Sequence, residues 1–205
     1  MYSKIKEYLK ENLSEERYLH TISVCEECME LCRYFDFSED KRNILYLSAL
    51  LHDITKENNS DAQIELCRIY NIDYTKDEIA SPAIFHQKTG GAFAREKFGE
   101  IVTDEVIENI STHTTGAENM SIMQKLLFVA DCTEPTRKHK SCVELRKFLY
   151  RNLGSSDSLN LLNRVCLMSL DSTVSHLIGK ENPIDIQTVK ARNFLLSEVK
   201  NYEKF

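Results

Sequence analysis

Residues 49–56 read Ala49-Leu50-Leu51-His52-Asp53-Ile54-Thr55-Lys56. An apolar run from Ile44 to Leu51 ends abruptly in an adjacent imidazole and carboxylate. Two such groups at a buried helix end are costly unless something satisfies them. A divalent metal satisfies both. His offers a neutral nitrogen and Asp an anionic oxygen, a pair that suits Zn, Fe, Mn or Co. Lys56 lies one turn beyond His52 and, if the helix continues, faces the same cavity. The alternative is a helix C-terminus with solvated polar residues, so the rest of the chain must decide.

Outward from this stretch, the apolar spacing is helical nearly throughout, with three Pro and six Gly to interrupt it. Ile5, Tyr8, Leu9 and Leu13 predict a first amphipathic helix. Ser14, followed by Glu15 and Glu16, caps a second that runs to about Tyr34, with Val24, Cys28 and Leu31 inside and His20 on the same side. Ser38 starts the helix that ends in His52-Asp53. Asn59 or Ser60 caps the next, through Cys67 and Tyr70, and 71–79 reads as loop or short helix. Ser81-Pro82 signals a start that places His86 near the beginning of a helix ending at Phe98-Gly99. Thr103-Asp104 opens another, which stops at His113-Thr114-Thr115-Gly116. Ser121 caps Ile122 to Ala130, closed by Asp131 and broken by Glu134-Pro135. Helices from Cys142 to Leu153, from Asp157 to Gly179 and from Thr188 to Tyr202 complete the chain, with a loop at 154–156. Strand-like alternation is nearly absent. The expected class is all-α.

Length and composition narrow the function. The 205 residues suffice for one domain with a substantial core, and 42% hydrophobic with 28% charged residues is ordinary for a globular protein. A net charge of −6 argues against broad nucleic-acid binding, though a small phosphorylated substrate remains compatible with a local positive pocket. No signal-type segment and no run of about 18 apolar residues is seen, so no membrane association is expected. Seven Cys fall in no paired zinc pattern, and Cys25, Cys28 and Cys32 read as core-facing thiols. A reducing cytoplasm is the expected compartment.

Polar residues recur at the borders of apolar helices: His20, His52-Asp53, His86, His113 and Asp131. His139 and His176 stand outside this set, among polar neighbours. One metal with an open position takes about three protein ligands. Four His and two Asp suggest two metals bridged by a carboxylate, roughly 3.5–4 Å apart. Such a pair would neutralise phosphate oxygens and lower the pKa of a shared water, so that hydroxide exists near pH 7. No covalent nucleophile is then required, and Cys132 reads as a packing residue.

In this order His20, His52-Asp53 and Asp131 match the H…HD…D signature of the HD-domain phosphohydrolases, and His86 and His113 match the extra ligands of its dinuclear members. Local strings resemble the YqeK-type subfamily of bacteria. They are Arg17-Tyr18-Leu19-His20, Leu50-Leu51-His52-Asp53 with Lys56, and His113-Thr114-Thr115-Gly116 followed by Met120. Val129-Ala130-Asp131 with Glu134-Pro135 and Arg137, and Thr188-Val189-Lys190-Ala191-Arg192-Asn193, complete them. One departure is Gln87-Lys88 after the third His, where a Gly is expected, a change that could alter the pocket wall. The resemblance spans nearly the whole chain. It implies a single HD domain over 1–205, with a metal core at about 14–140 and the C-terminal helices of 141–205 packed on it.

The resemblance further implies symmetrical hydrolysis of bis(5'-nucleosyl) tetraphosphates, with diadenosine tetraphosphate and water giving two ADP. It implies two transition-metal ions, iron first, with Mn, Co, Ni or Zn also fitting the ligands. His20, His52, Asp53 and Asp131 would hold the first ion, and Asp53 would bridge to a second on His86 and His113. Asp53 and Lys56 are the candidate catalytic residues. Arg17, Lys56, Arg137 and the loop Thr114, Thr115 and Gly116 are candidate phosphate contacts. Ordinary surface ion pairs and a helix-capping loop are the alternatives for these. The expected partner is a small nucleotide, with a homodimer compatible. Competing readings are an HD-type nucleotidase or nucleoside triphosphate hydrolase, a metal-containing nucleotide sensor or ribosome-associated protein with little turnover, and a structural helical domain.

Overall fold

Polar caps decide where the helices begin. The computed structural model describes residues 2–154 and 157–202. After α1 (Tyr2–Asn12), Ser14 accepts a hydrogen bond from the Arg17 N–H and opens α2 (Glu15–Cys32). Ser38 serves Lys41 at the start of α3 (Glu39–Leu51), and Asn59 serves Ala62 at the start of α4 (Ser60–Ile69). The single turn α5 (Lys76–Ile79) precedes α6 (Phe85–Phe98). Thr103 caps α7 (Asp104–Ile110). Ser121 and Gln124 form a reciprocal capping box on α8 (Ile122–Thr133). Then follow α9 (Lys140–Asn152), α10 (Ser158–Gly179), capped by Asp157, and α11 (Ile186–Tyr202). Among the described residues there is no strand, and the class is all-α.

Differences from the periodicity are local. Ser81 makes no capping bond; Pro82–Ile84 forms a 3-10 turn instead, and α6 begins at Phe85, which sets His86 in its first turn. The tight bonds from Arg33 N–H to the Glu30 carbonyl and from Tyr34 N–H to the Leu31 carbonyl end α2 at Cys32, short of Tyr34. α9 starts at Lys140 rather than Cys142, and α11 at Ile186 rather than Thr188. Asp131 lies inside the last turn of α8 rather than closing it. Of the expected loop at 154–156, Gly154 turns with φ +75°, while Ser155 and Ser156 lie outside the described residues.

Two central helices carry the core. α2 packs between α3 and α8, and α8 also meets α7, α9 and α10. Val24, Cys28, Leu45, Leu50, Leu126, Leu127, Val129 and Val165 are all fully buried. Truncating any of the leucines to Ala would cost about 2–5 kcal/mol. Cys25 and Cys32 are buried with them, as packing thiols. α10 lies against α8 and α9, and α11 packs on α10. No helix among the described residues is long and apolar enough to cross a membrane.

Candidate metal centre

The ends of several helices point at one place. α2 contributes Arg17 and His20 from its first turns. α3 ends at Leu51, and the chain leaves it in successive turns (Ile54 N–H to the Leu51 carbonyl, Lys56 N–H to the Asp53 carbonyl), which turns Asp53 and Lys56 inward without a continued helix. α6 brings His86, the turn after α7 brings His113, and the last turn of α8 brings Asp131. His20, His52, Asp53, His86 and His113 are all 5% exposed or less.

All six candidate ligands meet. His20 Nε2 lies 3.0 Å from Asp131 Oδ1 and 3.7 Å from Asp53 Oδ2. His52 Nε2 lies 3.4 Å from Asp53 Oδ2 and 4.0 Å from Asp131 Oδ1. On the other oxygen of Asp53, Oδ1 is 3.2 Å from His86 Nε2 and 3.6 Å from His113 Nε2. Asp53 thus faces one imidazole pair with each oxygen. Donors held about 2.0–2.2 Å from one cation stand roughly 3–3.6 Å apart, and four of these six separations fall in that range, from 3.0 to 3.6 Å, with 3.7 and 4.0 Å just beyond it.

The ring tautomers explain why cations suit this cluster. His52 Nδ1 donates to the Ala49 carbonyl at 2.7 Å, His86 Nδ1 to Ala83 at 2.8 Å and His113 Nδ1 to Ile110 at 2.7 Å. A carbonyl oxygen only accepts, so each Nδ1 carries the proton and each neutral ring turns an Nε2 lone pair inward. Burial pushes the His86 imidazole down to about 4, helped by the neighbouring His113 and Lys56, and burial also lowers His113. Both rings are therefore neutral near pH 7, yet their Nε2 atoms stand 2.9 Å apart with no proton between them. The Nε2 of His52 is buried with no hydrogen-bond partner at all. Lone pairs that converge on each other and on carboxylate oxygens are satisfied by cations. Two sets, His20-His52-Asp131 and His52-Asp53-His113, can each hold a metal ion. Backbone carbonyls and a carboxylate on the outer ring nitrogens are the usual support of metal-binding His.

Around this cluster stand positive groups. Arg17 Nη1 lies 2.6 Å from Asp53 Oδ2, and the Arg137 guanidinium pairs with Asp131. Burial raises the Asp131 carboxyl, but the hydrogen bond from His20 and the charge of Arg137 outweigh it and hold it well below the usual range. Lys56 Nζ sits 3.2 Å from His86 Nε2, its pKa lowered by burial. Thr114 Oγ1 lies 3.1 Å from the same ring atom. Thr115 and Gly116 (φ +66°), both buried, continue that loop. The Cys132 thiol, pushed up to about 12 by burial, meets Ser169 Oγ at 3.2 Å.

Two supporting residues went unassigned in the sequence. Glu134 is fully buried and accepts from His20 Nδ1 at 3.0 Å and from both the backbone and the hydroxyl of Thr136 at 2.6 Å. Its only signal was its place in the Glu134-Pro135 string. Gln87 accepts from the N–H groups of Thr114 and Thr115 at 3.0 and 3.1 Å, and its amide donates to Thr115 Oγ1 at 3.0 Å. Its side chain ties the threonine loop to α6. Lys88 turns away, to Glu78 and the Asp73 carbonyl.

The HD domain family model matches residues 17–136, which include all six cluster residues and Glu134. Halalkalibacterium halodurans has a protein named "Bis(5'-nucleosyl)-tetraphosphatase, symmetrical" that is 30% identical, covering 96% of this chain and 98% of that protein. A protein of the same name in Bacillus subtilis is 26% identical over 92% of this chain and 94% of its own. Among solved structures, a predicted HD superfamily hydrolase involved in NAD metabolism from Clostridium acetobutylicum is 31% identical, with a TM-score of 0.85 over 97% of this chain and 98% of that one. The chain is an HD-type phosphohydrolase, a member of the HD domain family and, within it, of the YqeK-type group named symmetrical bis(5'-nucleosyl)-tetraphosphatase.

Proposed function

We propose that this chain hydrolyses dinucleoside tetraphosphates at the central anhydride, so that diadenosine tetraphosphate and one water give two ADP. The observation that carries the reading is the convergence of four imidazoles and two carboxylates on one buried point, with three ring Nδ1 atoms pinned to backbone carbonyls. The names of relatives at 26–30% identity supply the substrate class. His20, His52, Asp53 and Asp131 would hold one divalent ion, and Asp53, His86 and His113 a second, with iron the first choice and Mn, Co, Ni or Zn compatible. Bound there, the ions would neutralise phosphate oxygens and acidify a water.

The remaining roles fall to the chain's own side chains. Asp53 would keep its two oxygens on the two halves of the cluster. Lys56, beside His86, would contact a phosphate oxygen or donate a proton to the leaving ADP. Arg17 and Arg137, at opposite carboxylates, would exchange part of those contacts for phosphate oxygens, since guanidinium binds both anions in the same forked way. The Thr114-Thr115-Gly116 loop would offer hydroxyl and N–H donors. A domain of 1–205 with its metal core at about 14–140, a cytoplasmic setting that suits seven free thiols, and a homodimer complete the reading.

The test is product analysis. Metal-loaded protein incubated with diadenosine tetraphosphate should release ADP alone. AMP with ATP would refute symmetrical cleavage, and faster turnover of mononucleotides or nucleoside triphosphates would favour the nucleotidase alternative.

A further inference from the structure

Symmetrical cleavage sets a requirement on the surface. The central anhydride has a nucleoside diphosphate on each side, so the reacting phosphates need room for a nucleoside in two directions. The structure has two cavities that meet this. A 390 Å³ cavity is lined by Ala83, Ile84, Thr114, Thr173 and Leu177 among others. It abuts the His86 side of the cluster, because the Ala83 carbonyl holds His86 Nδ1 and Thr114 Oγ1 reaches His86 Nε2. A second cavity of 260 Å³ is lined by His139, Ser141, Ser172, His176 and the same Thr173 and Leu177. Its His139 follows by two residues Arg137, which pairs with Asp131 and lies 3.4 Å from His20 on the other side of the cluster. Thr173 and Leu177 of α10 form the ridge between them.

We propose that these are two nucleoside subsites, one for each half of a dinucleoside tetraphosphate; the inference rests on the reaction proposed above. Volumes of this order suit a group somewhat smaller than the ligands that fill pockets of about 300–1,000 Å³. The two subsites differ in character. The first is apolar, with Ile84 and Leu177 as walls. The second holds the only two imidazoles of the chain outside the cluster, with ring centroids 6.3 Å apart at 79° and both rings exposed. His139 is steadied by Ser141 Oγ at 2.8 Å. Imidazole faces stack on nucleobases, which gives this pair a use that a solvated surface does not require. An 820 Å³ cleft behind Gln87 and Gly116 is larger, but neither Thr114 nor any imidazole lines it.

The double variant H139A/H176A removes both rings at exposed positions, where folding is not at stake. Manganese-loaded wild-type protein should bind two radiolabelled ADP per chain in equilibrium dialysis, and the variant one. The KM for diadenosine tetraphosphate should rise about tenfold, the loss expected for one base-stacking contact, with kcat within about twofold and bound metal unchanged. One ADP on the wild type, or an unaltered ADP count and KM in the variant, would overturn the proposal. Two ADP on the wild type and one on the variant, with no ADP formed from diadenosine tetraphosphate, would support the two subsites and remove the proposed reaction instead.

Discussion

Gln87→Ala is the most informative single change. The wild-type side chain is 4% exposed, and its oxygen accepts two backbone N–H groups, at 3.0 and 3.1 Å. Only an oxygen can take two N–H donors, so the amide orientation follows. Truncation leaves both donors without that acceptor and leaves the Thr115 hydroxyl without its amide. An orphaned buried donor costs about 1–3 kcal/mol. Thr115 is buried and pays in full, while half-buried Thr114 recovers part from water. The expected loss is about 2–4 kcal/mol. For a chain of this size, 1 kcal/mol moves Tm by roughly 2–4 °C, so Q87A should melt about 5–15 °C lower. Gln87→Glu is the control. Its carboxylate still accepts both N–H groups, and the Thr115 hydroxyl can rotate to donate, so Tm should fall by less than half as much. It also adds a negative charge beside the proposed phosphate loop, so kcat/KM should drop at least about tenfold. Differential scanning fluorimetry with steady-state kinetics reads both. A Q87A melting point within 2 °C of wild type would show that the loop does not depend on this acceptor.

Asp53→Ala should abolish hydrolysis and strip most of the bound metal in elemental analysis; full activity would refute a bridging role. Exhaustive chelation should lower Tm, and adding metal at about 100 times its Kd should restore about 2.7 kcal/mol, or roughly 5–10 °C; an unchanged Tm would mean that the cluster holds no ion. Glu134→Gln keeps the shape but weakens the partner of His20 Nδ1, so metal affinity should fall about 10–100-fold while the fold persists in circular dichroism. Gly91→Ala would place a Cβ 2.8 Å from Ile107 Cγ2 and 3.2 Å from its Cα, and should cost about 1–3 kcal/mol by denaturant titration. Gly90→Ala meets nothing closer than 3.5 Å and should be neutral or gain up to about 1 kcal/mol from helix propensity.

The residues that could be singled out from sequence are those that break a local rule. His52 and Asp53 interrupt the run from Ile44 to Leu51, and Asp131 follows Leu126 to Ala130, so the misfit is visible within a few positions. Caps are legible for the same reason: Ser14, Ser38, Asn59, Thr103, Ser121 and Asp157 act on N–H groups two or three residues away. Glu134 and Gln87 break nothing locally. The partner of Glu134 is His20, 114 positions away, and those of Gln87 are 27 and 28 positions away. A bond across that separation exists only once α2, α6, α7 and α8 have packed. Lys56 shows the opposite limit. Helical spacing places it on the side of His52 only if the helix continues; α3 stops at Leu51, and Lys56 comes within 3.2 Å of His86 Nε2 through the turns that follow. The right placement there came from a geometry that period-3.6 reasoning does not describe.

The Gln87 side chain works on the threonine loop and leaves the imidazoles and carboxylates of the cluster untouched. A glycine at this point would bring no acceptor, and the N–H groups of Thr114 and Thr115 would need another. The side chain supplies it and, through Thr114, reaches His86, whose imidazole burial pushes down to about 4. Through Thr114 and Thr115, which line the cavity at Ile84, Gln87 therefore acts on the wall beside the imidazoles rather than on the ligand set. Its consequence should appear in substrate positioning and loop stability, with metal content left as it is, and that split separates a rebuilt pocket wall from a damaged metal site.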